Sequence, residues 1–536
     1  MGKVATVFSA ALLLASNAAA LDPIVMKGSK FFYENGTQFF MKGIAYQQDT
    51  AAAGGESKTG EYKDPLADEA ACRRDVPIMV KAGTNTIRTY AIDPKNDHDA
   101  CMKLLSDAGI YVVSDLGEPK LSINRDNAQW NTDLYERYTA VIDSLAKYDN
   151  TIGFFAGNEV SNNKTNTEAS AFVKAAVRDS KKYIKDKGYR WMGVGYAAND
   201  DAEIRTNSAH YFNCGDQDSA IDFWGYNIYS WCGKNTLAGS GYQTQIDFFK
   251  NYSVPVFFAE YGCNIPDGAD GRIFQETTAL YEKEMTDVFS GGIVYMYFQE
   301  ANDYGLVEVK GDTASPMTNY KQLASRVLAA TPSAVQMSSY EPTNKAAECP
   351  GVAANWEVHA DALPPTPDSS LCECMVKSLS CTPKTGLKAS AIGEIFGYIC
   401  GADPASCNGI NTNTTTGVYG AYSMCTDEQK LSFVMDAYYK AQKSASTACD
   451  YDGQAQVVTP SSSDSSCKSA LASASAANSA AATATAPVSS TANPSSSASG
   501  NAAAGNPYQP IFNFGGFAVG AYLVAAGAVG AAMVAL

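Results

Sequence analysis

The chain has 536 residues, of which 46% are hydrophobic, 18% charged and 11% aromatic. Such proportions support large folded cores and exclude a chain that is disordered throughout. The formal net charge of −16, from 40 basic and 56 acidic residues, disfavours a nucleic-acid partner, because phosphate binding needs a clustered basic surface.

Residues 1–20 are typical of a secretory signal peptide. Lys3 precedes the apolar run Val4–Leu14, and Ala18–Ala20 supply the small residues of a cleavage site. The alternative is a buried first helix of the fold, but the apolar run lacks the polar pattern that such a helix shows. Secretion brings the 14 cysteines into an oxidising compartment, where disulfide bonds form. Four glycosylation sequons fit this route: Asn35, Asn163, Asn251 and Asn413.

Eight near-continuously apolar runs divide residues 21–335 and predict parallel strands that are buried on both faces. They are Phe39–Tyr46, Thr84–Ala91, Gly109–Gly117, Thr151–Glu159, Trp191–Ala197, Ile221–Tyr229, Val254–Gly262 and Gly291–Phe298. Helical spacing lies between them, as in Leu134–Lys147, Ala169–Lys187 and Ile273–Phe289. This alternation predicts an α/β fold, a (β/α)8 TIM barrel. An open doubly wound sheet is the alternative, but Gly43–Tyr46 is not the glycine-rich phosphate turn expected after its first strand.

Three further segments follow the predicted barrel. Residues 336–370 contain five prolines and predict an extended connector. Residues 371–467 hold eight of the 14 cysteines, which predicts a small, mainly helical module held together by disulfide bonds. Residues 468–510 are rich in serine and alanine, as in an O-glycosylated stalk.

The last segment, residues 511–536, is almost wholly apolar from Phe514 onward, and no charged residue follows Lys468. Small residues, a polar spacer and a hydrophobic end are typical of a signal for a glycosylphosphatidylinositol (GPI) anchor. Asn501 is the expected attachment site. A transmembrane helix that anchors the tail is the alternative. The GPI interpretation places the mature protein on the outer face of the plasma membrane.

Polar or aromatic residues end several predicted strands, where a TIM barrel has its active site. These strand-end residues are Gln47, Tyr90, Asp115, Asn158, Glu159, Tyr229, Glu260 and Tyr295. Glu159 and Glu260 end the fourth and seventh strands, nearly opposite across the barrel mouth, where an unused carboxylate would be costly to bury. For either one alone, hydrogen bonding to strand-end amides is the alternative. Together they predict glycoside cleavage, in which one carboxyl protonates the leaving oxygen and the other attacks the anomeric carbon.

This pair of glutamates leads to expectations about geometry and ionisation. A retaining mechanism places the two carboxyl groups about 5–5.5 Å apart. Glu159 should have the higher pKa, because the Glu260 carboxylate disfavours its ionisation. Asn158 is expected to donate to a sugar 2-hydroxyl, and the strand-end tyrosines to hold the nucleophile or to stack on the sugar. Packing is the alternative for each tyrosine.

Other chemistries lack the residues that they require. The chain has three histidines, none with zinc-binding spacing, and neither a G-x-S-x-G nor a G-x-x-x-x-G-K-[ST] motif occurs. Paired carboxyl groups need no metal and no organic cofactor, so none is expected.

Five stretches resemble the fungal β-1,3-glucanosyltransferases of glycoside hydrolase family 72: Gly43–Tyr46, Arg88–Pro94, Gly157–Val160, Phe258–Cys263 and Tyr295–Phe298. The cysteine-rich segment resembles the β-1,3-glucan-binding module of family 43. The resemblance covers essentially the whole chain and implies a retaining, GPI-anchored enzyme of the cell surface and cell wall. Such an enzyme cleaves a β-1,3-glucan internally and transfers the new reducing end to the non-reducing end of another glucan.

The same resemblance implies roles for individual residues. Glu159 resembles the acid/base and Glu260 the nucleophile. Donor-side contacts are implied for Tyr90, Asn158, Tyr295 and the loop Gly117–Arg125 with Gly117, Glu118, Asn124 and Arg125, and acceptor-side contacts for Asp200 and Arg205. The implied partners are donor and acceptor glucan chains and, through the anchor, the membrane, with no obligate protein partner evident. Two other functions stay open, a secreted endo-β-1,3-glucanase and a non-catalytic glucan-binding wall protein.

Barrel geometry predicts two disulfide bonds. The pair Cys72–Cys101 lies in the helices after the first and second strands, which are neighbours in a barrel. The pair Cys232–Cys263 lies in loops after the sixth and seventh strands, on one face. This leaves Cys214–Cys349 as the third pair, which the family resemblance also implies and which ties the connector to the barrel. The eight module cysteines leave roughly a hundred pairings open.

Overall fold

The computed structural model describes residues 21–48, 62–461 and 465–483. Eight parallel strands form a closed barrel in chain order, with the last strand pairing with the first. They are β4 Met41–Ala45, β5 Thr86–Thr89, β6 Tyr111–Asp115, β7 Thr151–Asn158, β8 Gly193–Asn199, β9 Trp224–Asn227, β10 Val256–Tyr261 and β11 Phe289–Val294. Each lies within or overlaps one of the predicted runs, and the TIM barrel is confirmed.

Helices surround the barrel and follow most of its strands. They are α1 Glu69–Lys81, α2 Asp99–Asp107, α3 Thr132–Leu145, α4 Ala169–Asp186, α5 Arg205–Asn213, α6 Tyr242–Phe249, α7 Gln275–Leu280, α8 Lys283–Thr286 and α9 Thr318–Ala329. The strands β12 Val307–Lys310 and β13 Thr313–Pro316 form a hairpin before α9. None of the helices in the described residues is both long and apolar enough to cross a membrane.

The last helix and the last strand of the barrel differ from the prediction. The expected helix over 273–289 is two short helices, and the eighth strand begins at Phe289, which pairs with Val256 of β10. Gly291 has a positive φ of 91°, and a Cβ there would lie 2.1 Å from the Met41 carbonyl oxygen. The glycine pair at 291–292 therefore lies inside the strand, where the backbones approach closely, and does not mark its start.

A small antiparallel sheet precedes the barrel and was not predicted. It consists of β1 Val25–Lys27, β2 Lys30–Phe32 and β3 Gln38–Phe39. Phe31 of this sheet is fully buried, and its ring centre lies 6.1 Å from that of Phe223 and 6.2 Å from that of Phe257. Both partners lie at the amino ends of barrel strands, so the sheet closes the end opposite to the predicted site.

Seven disulfide bonds are formed in the described residues. The barrel bonds Cys72–Cys101, Cys214–Cys349 and Cys232–Cys263, with Cα separations of 5.6, 5.1 and 5.1 Å, are the three predicted pairs. In the module the pairs are Cys372–Cys425, Cys374–Cys467, Cys381–Cys449 and Cys400–Cys407. Each of these last bonds joins cysteines of the module only.

The connector is extended but packed against the barrel. Trp356 is fully buried, with its ring centre 5.3 Å from that of Tyr211. Further along, Arg178 Nη2 donates to the Pro364 carbonyl oxygen at 2.9 Å. Together with the bond of Cys349, these contacts make the connector a fixed strap on the barrel surface and not a free spacer.

The C-terminal module is mainly helical and touches the barrel directly. Its elements are α10 Ser369–Lys377, β14 Cys381–Pro383, α11 Ala389–Ala402, β15 Thr412–Asn413, β16 Val418–Tyr419, α12 Asp427–Ala441, β17 Ala455–Val457 and α13 Ser465–Thr483. Lys430 Nζ donates to Gln129 Oε1 of the barrel at 2.7 Å, and the Thr132 amide donates to the Met424 carbonyl oxygen at 3.0 Å.

The predicted module boundary at residue 467 is too early. In α13, Ala474 is buried in the module core, and Asn478 Oδ1 accepts from the Ala421 amide at 2.7 Å. Alanine is the strongest helix former, and the Cys374–Cys467 bond fastens the start of this helix. The first part of the predicted stalk is therefore part of the module. The signal peptide, the rest of the stalk, Asn501 and the hydrophobic end lie outside the described residues.

The four predicted glycosylation sites differ in exposure. Asn35, Asn251 and Asn413 are exposed, and Asn163 is partly buried. Attachment at these positions stays a prediction.

Candidate active site

A fully buried arginine organises the carboxyl end of the barrel. Arg88, in β5, donates through Nε and Nη2 to the two carboxylate oxygens of Asp115, each at 2.9 Å. Its Nη1 lies 3.3 Å from Glu260 Oε1, and its Nη2 donates to Asn158 Oδ1 at 3.0 Å. One guanidinium therefore joins four strands, and its rigid fork orients three polar side chains at once.

Glu260 accepts hydrogen bonds on both carboxylate oxygens. Oε1 accepts from the Tyr90 hydroxyl at 2.9 Å and Oε2 from the Tyr229 hydroxyl at 2.8 Å. The residue is 6% exposed. Burial raises the pKa of both tyrosines well above its ordinary value, so both phenols keep the protons that they donate. With Arg88 Nη1 as a third donor, these contacts hold the Glu260 carboxyl group in one orientation.

Glu159 follows β7 with a left-handed backbone, at φ 49°, which is uncommon for a residue with a side chain. Its amide donates to the Ala197 carbonyl oxygen at 2.8 Å, and its carbonyl oxygen accepts from Arg125 Nη2 at 2.6 Å. The carboxyl oxygen Oε1 accepts from Asn227 Nδ2 at 2.9 Å. Neighbouring strands and the loop before α3 therefore hold this strained turn.

Burial raises the pKa of Glu159 to about 7, and the charge of Glu260 is the second cause. The hydrogen bond from Asn227 acts in the opposite direction, because it favours the charged form. The predicted direction is confirmed, but the predicted leading cause was the Glu260 charge, and burial outweighs it. A carboxyl group whose pKa is raised by burial, next to a carboxylate held by three hydrogen-bond donors, is typical of an acid/base and nucleophile pair.

A cluster of tyrosine rings lies beside Glu260. The Tyr295 ring centre is 6.2 Å from that of Tyr90, 6.5 Å from that of Tyr229 and 5.4 Å from that of Tyr304, all edge to face. Buried Arg272 donates through Nη1 to the Tyr295 carbonyl oxygen at 2.6 Å. The arginine thereby fixes the backbone that carries this ring.

The predicted acceptor-side residues form a separate group after β8. Asp200 and Arg205 make an ion pair, and the hydroxyl of Tyr226 donates to the same oxygen, Asp200 Oδ1. Asp200 and Arg205 are both partly exposed. The group lies at the carboxyl ends of β8 and β9, at the same end of the barrel as Glu159.

The predicted residues of the loop 117–125 differ in whether they contact the glutamate pair. Arg125 contacts the Glu159 backbone, whereas Asn124 is exposed and its Oδ1 accepts from the Asp126 amide at 2.8 Å. Glu118 is tied to Leu121 by paired backbone hydrogen bonds of 3.1 Å. Gly117 is partly exposed, and its carbonyl oxygen accepts from Arg137 at 3.3 Å. The structure therefore brings one of these four predicted residues into contact with a glutamate of the pair.

Comparison with known proteins identifies the family. Residues 13–331 match the glycoside hydrolase family 72 model, described as glucanosyltransferase, and residues 379–456 match the X8 domain. The chain belongs to this glucanosyltransferase family. A 1,3-beta-glucanosyltransferase of Arthroderma benhamiae is 53% identical over 485 residues, 87% of this chain and 88% of the relative. The pH-responsive protein 1 of Candida albicans is 48% identical over 472 residues, 87% and 85% of the two chains.

A solved structure extends the family match to three dimensions. A mutant of Saccharomyces cerevisiae Gas2p, in complex with laminaritetraose and laminaripentaose, is similar with a TM-score of 0.75 at 40% identity. The match covers 85% of this chain and 99% of that one. A match of this coverage extends beyond the barrel of this chain.

Two central residues of this glucanosyltransferase site were not among the predicted site residues. Arg88 lies inside the resembling stretch Arg88–Pro94, and the signal that could have found it is that it is the one charged residue of the buried strand β5. Asn227 ends β9 in the structure, whereas the predicted strand extends to Tyr229 and places the asparagine in its interior. Gln47, one of the predicted strand-end residues, has a structural role, because its side-chain oxygen accepts from the amides of Tyr90 and Ala91, each at 3.0 Å.

Proposed function

We propose that this chain is a retaining β-1,3-glucanosyltransferase in which Glu260 is the nucleophile and Glu159 the acid/base. The observation that carries this proposal is the asymmetry of the two carboxyl groups. Three donors surround the Glu260 carboxylate, while burial and the nearby charge raise the pKa of Glu159 to about 7. The pair is expected to lie about 5–5.5 Å apart, as a retaining mechanism requires.

In the first step a Glu260 oxygen attacks the anomeric carbon of a glucose unit inside the donor chain. The glycosidic carbon–oxygen bond breaks, and Glu159 gives its proton to the leaving 3-oxygen. The donor fragment with the new reducing end is then held as an ester on Glu260. Asn158, with its oxygen fixed by Arg88 and Asn227, is oriented for a hydrogen bond to the 2-hydroxyl.

In the second step the 3-hydroxyl at the non-reducing end of an acceptor glucan attacks the same carbon. Glu159, now ionised, takes the hydroxyl proton, and the Glu260 carboxylate leaves. The partly exposed pair Asp200–Arg205 supports the acceptor side of this proposal, because polar groups that hold a sugar hydroxyl favour sugar over water. The product is a lengthened β-1,3-glucan with retained configuration.

The setting in the cell belongs to the same proposal. A signal peptide over residues 1–20 and a GPI signal over 511–536 would place the enzyme on the outer face of the plasma membrane and in the cell wall. Glucan chains of the wall would then be both donor and acceptor. Neither a metal nor an organic cofactor takes part in the proposed steps.

Product analysis on a reduced laminari-oligosaccharide of defined length tests the transferase activity. Sugar capture yields products longer than the substrate, whereas capture by water yields only shorter ones. We expect the longer products to predominate in the first turnovers. Exclusively shorter products would identify an endo-β-1,3-glucanase on the same scaffold, and no product at all would favour a non-catalytic glucan-binding protein.

The rate of transfer is expected to fall as the pH rises through about 7, the pKa of Glu159. Below this pH Glu159 holds the proton that the leaving oxygen needs, and above it each further pH unit lowers kcat/KM by up to about tenfold. In Asn227→Ala the donor that favours the charged form is lost, so the alkaline limb should move to higher pH. A limb that stays in place in this variant would show that another group controls it.

A further inference from the structure

One of the disulfide bonds joins an exposed cysteine to a buried one. Cys349, in the connector, is exposed, whereas Cys214, which follows α5, is 0% exposed. All the other cysteines also lie in the described residues; Cys232 is partly exposed, and the rest are buried. A small thiol in solution therefore reaches the Cys214–Cys349 bond more easily than any other, and it approaches from the side of Cys349.

A buried lysine lies against the sulfur of Cys214. Lys174, in α4, is 3% exposed, and its Nζ lies 3.9 Å from Cys214 Sγ. The same ammonium donates to the carbonyl oxygens of Tyr211 at 2.6 Å and of Cys214 at 3.0 Å. It also lies 4.6 Å from the centre of the Tyr211 ring. These contacts hold a cation beside the buried one of the two sulfur atoms.

The Lys174 ammonium is charged at neutral pH. Burial lowers its pKa to about 8, and the charge of Asp216 acts in the opposite direction. Among the described residues no carboxylate forms an ion pair with Lys174, and its hydrogen bonds go to neutral carbonyl oxygens. A buried cation without a paired anion is costly. A thiolate formed on Cys214 would supply that negative charge.

The Cys214–Cys349 bond holds a short stretch of the connector on the barrel. Asn344 Nδ2 donates to the Tyr252 carbonyl oxygen at 2.9 Å, and the Ala347 amide donates to Asn213 Oδ1 at 2.8 Å. Lys345, between these two contacts, is exposed. Because both hydrogen bonds are only partly buried, we expect this stretch to depend on the covalent bond.

We propose that Cys349 is a site of thiol–disulfide exchange, at which a low-molecular-weight thiol from solution releases the connector from the barrel. The thiolate attacks Cys349 Sγ and forms a mixed disulfide there. The Cys214–Cys349 bond breaks, and its electron pair stays on Cys214 Sγ as a thiolate beside Lys174. A second thiol then attacks the outer sulfur of the mixed disulfide, forms a disulfide with the first thiol and leaves Cys349 reduced.

The positions of the two sulfur atoms determine the direction of attack. A thiolate that a neighbouring cation stabilises is the better leaving group, and the cation lies at Cys214. Attack at Cys349 therefore uses both the accessible sulfur and the stabilised leaving group. Cys214 lies between α5 and β9, at the amino ends of the strands, so this site is separate from Glu159 and Glu260.

The test uses the mature, full-length protein at neutral pH with reduced glutathione as the probe. After short incubations the free thiols are alkylated, and mass spectrometry of the digested protein reads the state of all 14 cysteines. We expect the glutathione adduct on Cys349 and the first alkylated thiol on Cys214, at least about tenfold faster than at any other pair. Trypsin should then cleave after Lys345 about tenfold faster than in the untreated protein, because the surrounding stretch is released.

Two variants test the role of the lysine. Lys174→Met removes the cation beside Cys214 and should slow the opening of this bond about tenfold, with no change at the other disulfide bonds. Lys185→Met, at an exposed position of the same helix, removes the same charge away from the bond and should react like the parent. The order of reaction and the place of the adduct are measured in the unmodified protein, so they decide the proposal even where Lys174→Met does not fold.

Several results would overturn the proposal. A glutathione adduct on Cys214, or a first reaction at Cys232–Cys263 or within the module, would show that exposure and the cation do not direct the exchange. Opening at the parent rate in Lys174→Met would make the lysine a structural cation at the end of α5. Unchanged tryptic cleavage after Lys345 in the opened protein would show that the bond does not hold the connector.

Discussion

Replacing Glu260 by alanine is expected to reduce transfer by more than about 10⁴-fold, as loss of the nucleophile does in other enzymes with covalent intermediates. Replacing Glu159 by glutamine should reduce transfer by about 10²–10⁴-fold, the usual contribution of a general acid and base. The measurement is the initial rate on a reduced laminari-oligosaccharide. Glu284→Gln, at an exposed position in α8, removes the same charge outside the site and should keep full activity.

An activated substrate separates the two roles. A β-laminarioligosyl fluoride has a leaving group that needs no protonation, so Glu159→Gln should still release fluoride from it, while Glu260→Ala should not. The opposite pattern would reverse the assignment. Near-normal transfer on the oligosaccharide by either variant would remove that residue from the mechanism.

The second large effect is expected at Arg88. In Arg88→Met the buried carboxyl groups of Asp115 and Glu260 lose their shared cation, which costs about 3–5 kcal/mol when one partner of a buried ion pair is removed. The measurement is the free energy of unfolding of the barrel in denaturant. Transfer should also be lost at temperatures where the variant is folded, because Glu260 and Asn158 lose a common donor.

Two further variants test whether the loss of stability in Arg88→Met comes from the buried ion pairs. Arg73→Met removes an exposed ion pair with Glu69, whose side chains are 63% and 51% exposed, and should change stability by less than about 1 kcal/mol. Adding Asp115→Asn to Arg88→Met removes an unpaired buried carboxyl and should recover part of the stability. An Arg88→Met protein as stable as the parent would mean that the buried network contributes little to the fold.

Much of the barrel could be predicted because its strands are buried on both faces. Continuous apolar runs mark such strands, and Glu159 and Glu260 stood out because each ends a run where a charge is costly. Arg88 escaped the same reasoning because it points into the barrel from the middle of β5, where no strand end draws attention to it. Asn227 was missed because strand ends are uncertain by a few residues from the chain alone.

The remaining differences come from tertiary contacts. The alanine-rich α13 resembles a stalk in composition, and only its contacts with the module core, such as that of Ala474, show that it belongs there. The strands β1–β3 of the small sheet are too short to show an alternation of apolar and polar residues in the sequence. Phe31 is buried only because the folded barrel offers an end for it to fill. The four module disulfides depend on packing in the same way, since spacing alone does not choose among pairings.

Trapping of the covalent intermediate tests the central claim most directly. The unmodified enzyme is incubated with a 2-deoxy-2-fluoro laminarioligosyl fluoride, whose fluorine at C2 slows both steps while the fluoride leaving group permits the first. Mass spectrometry of the digested protein should then locate one added glycosyl group on Glu260, in the peptide that ends β10. A group on Glu159, or active enzyme with no covalent adduct, would contradict the assignment of Glu260 as the nucleophile of a retaining transferase.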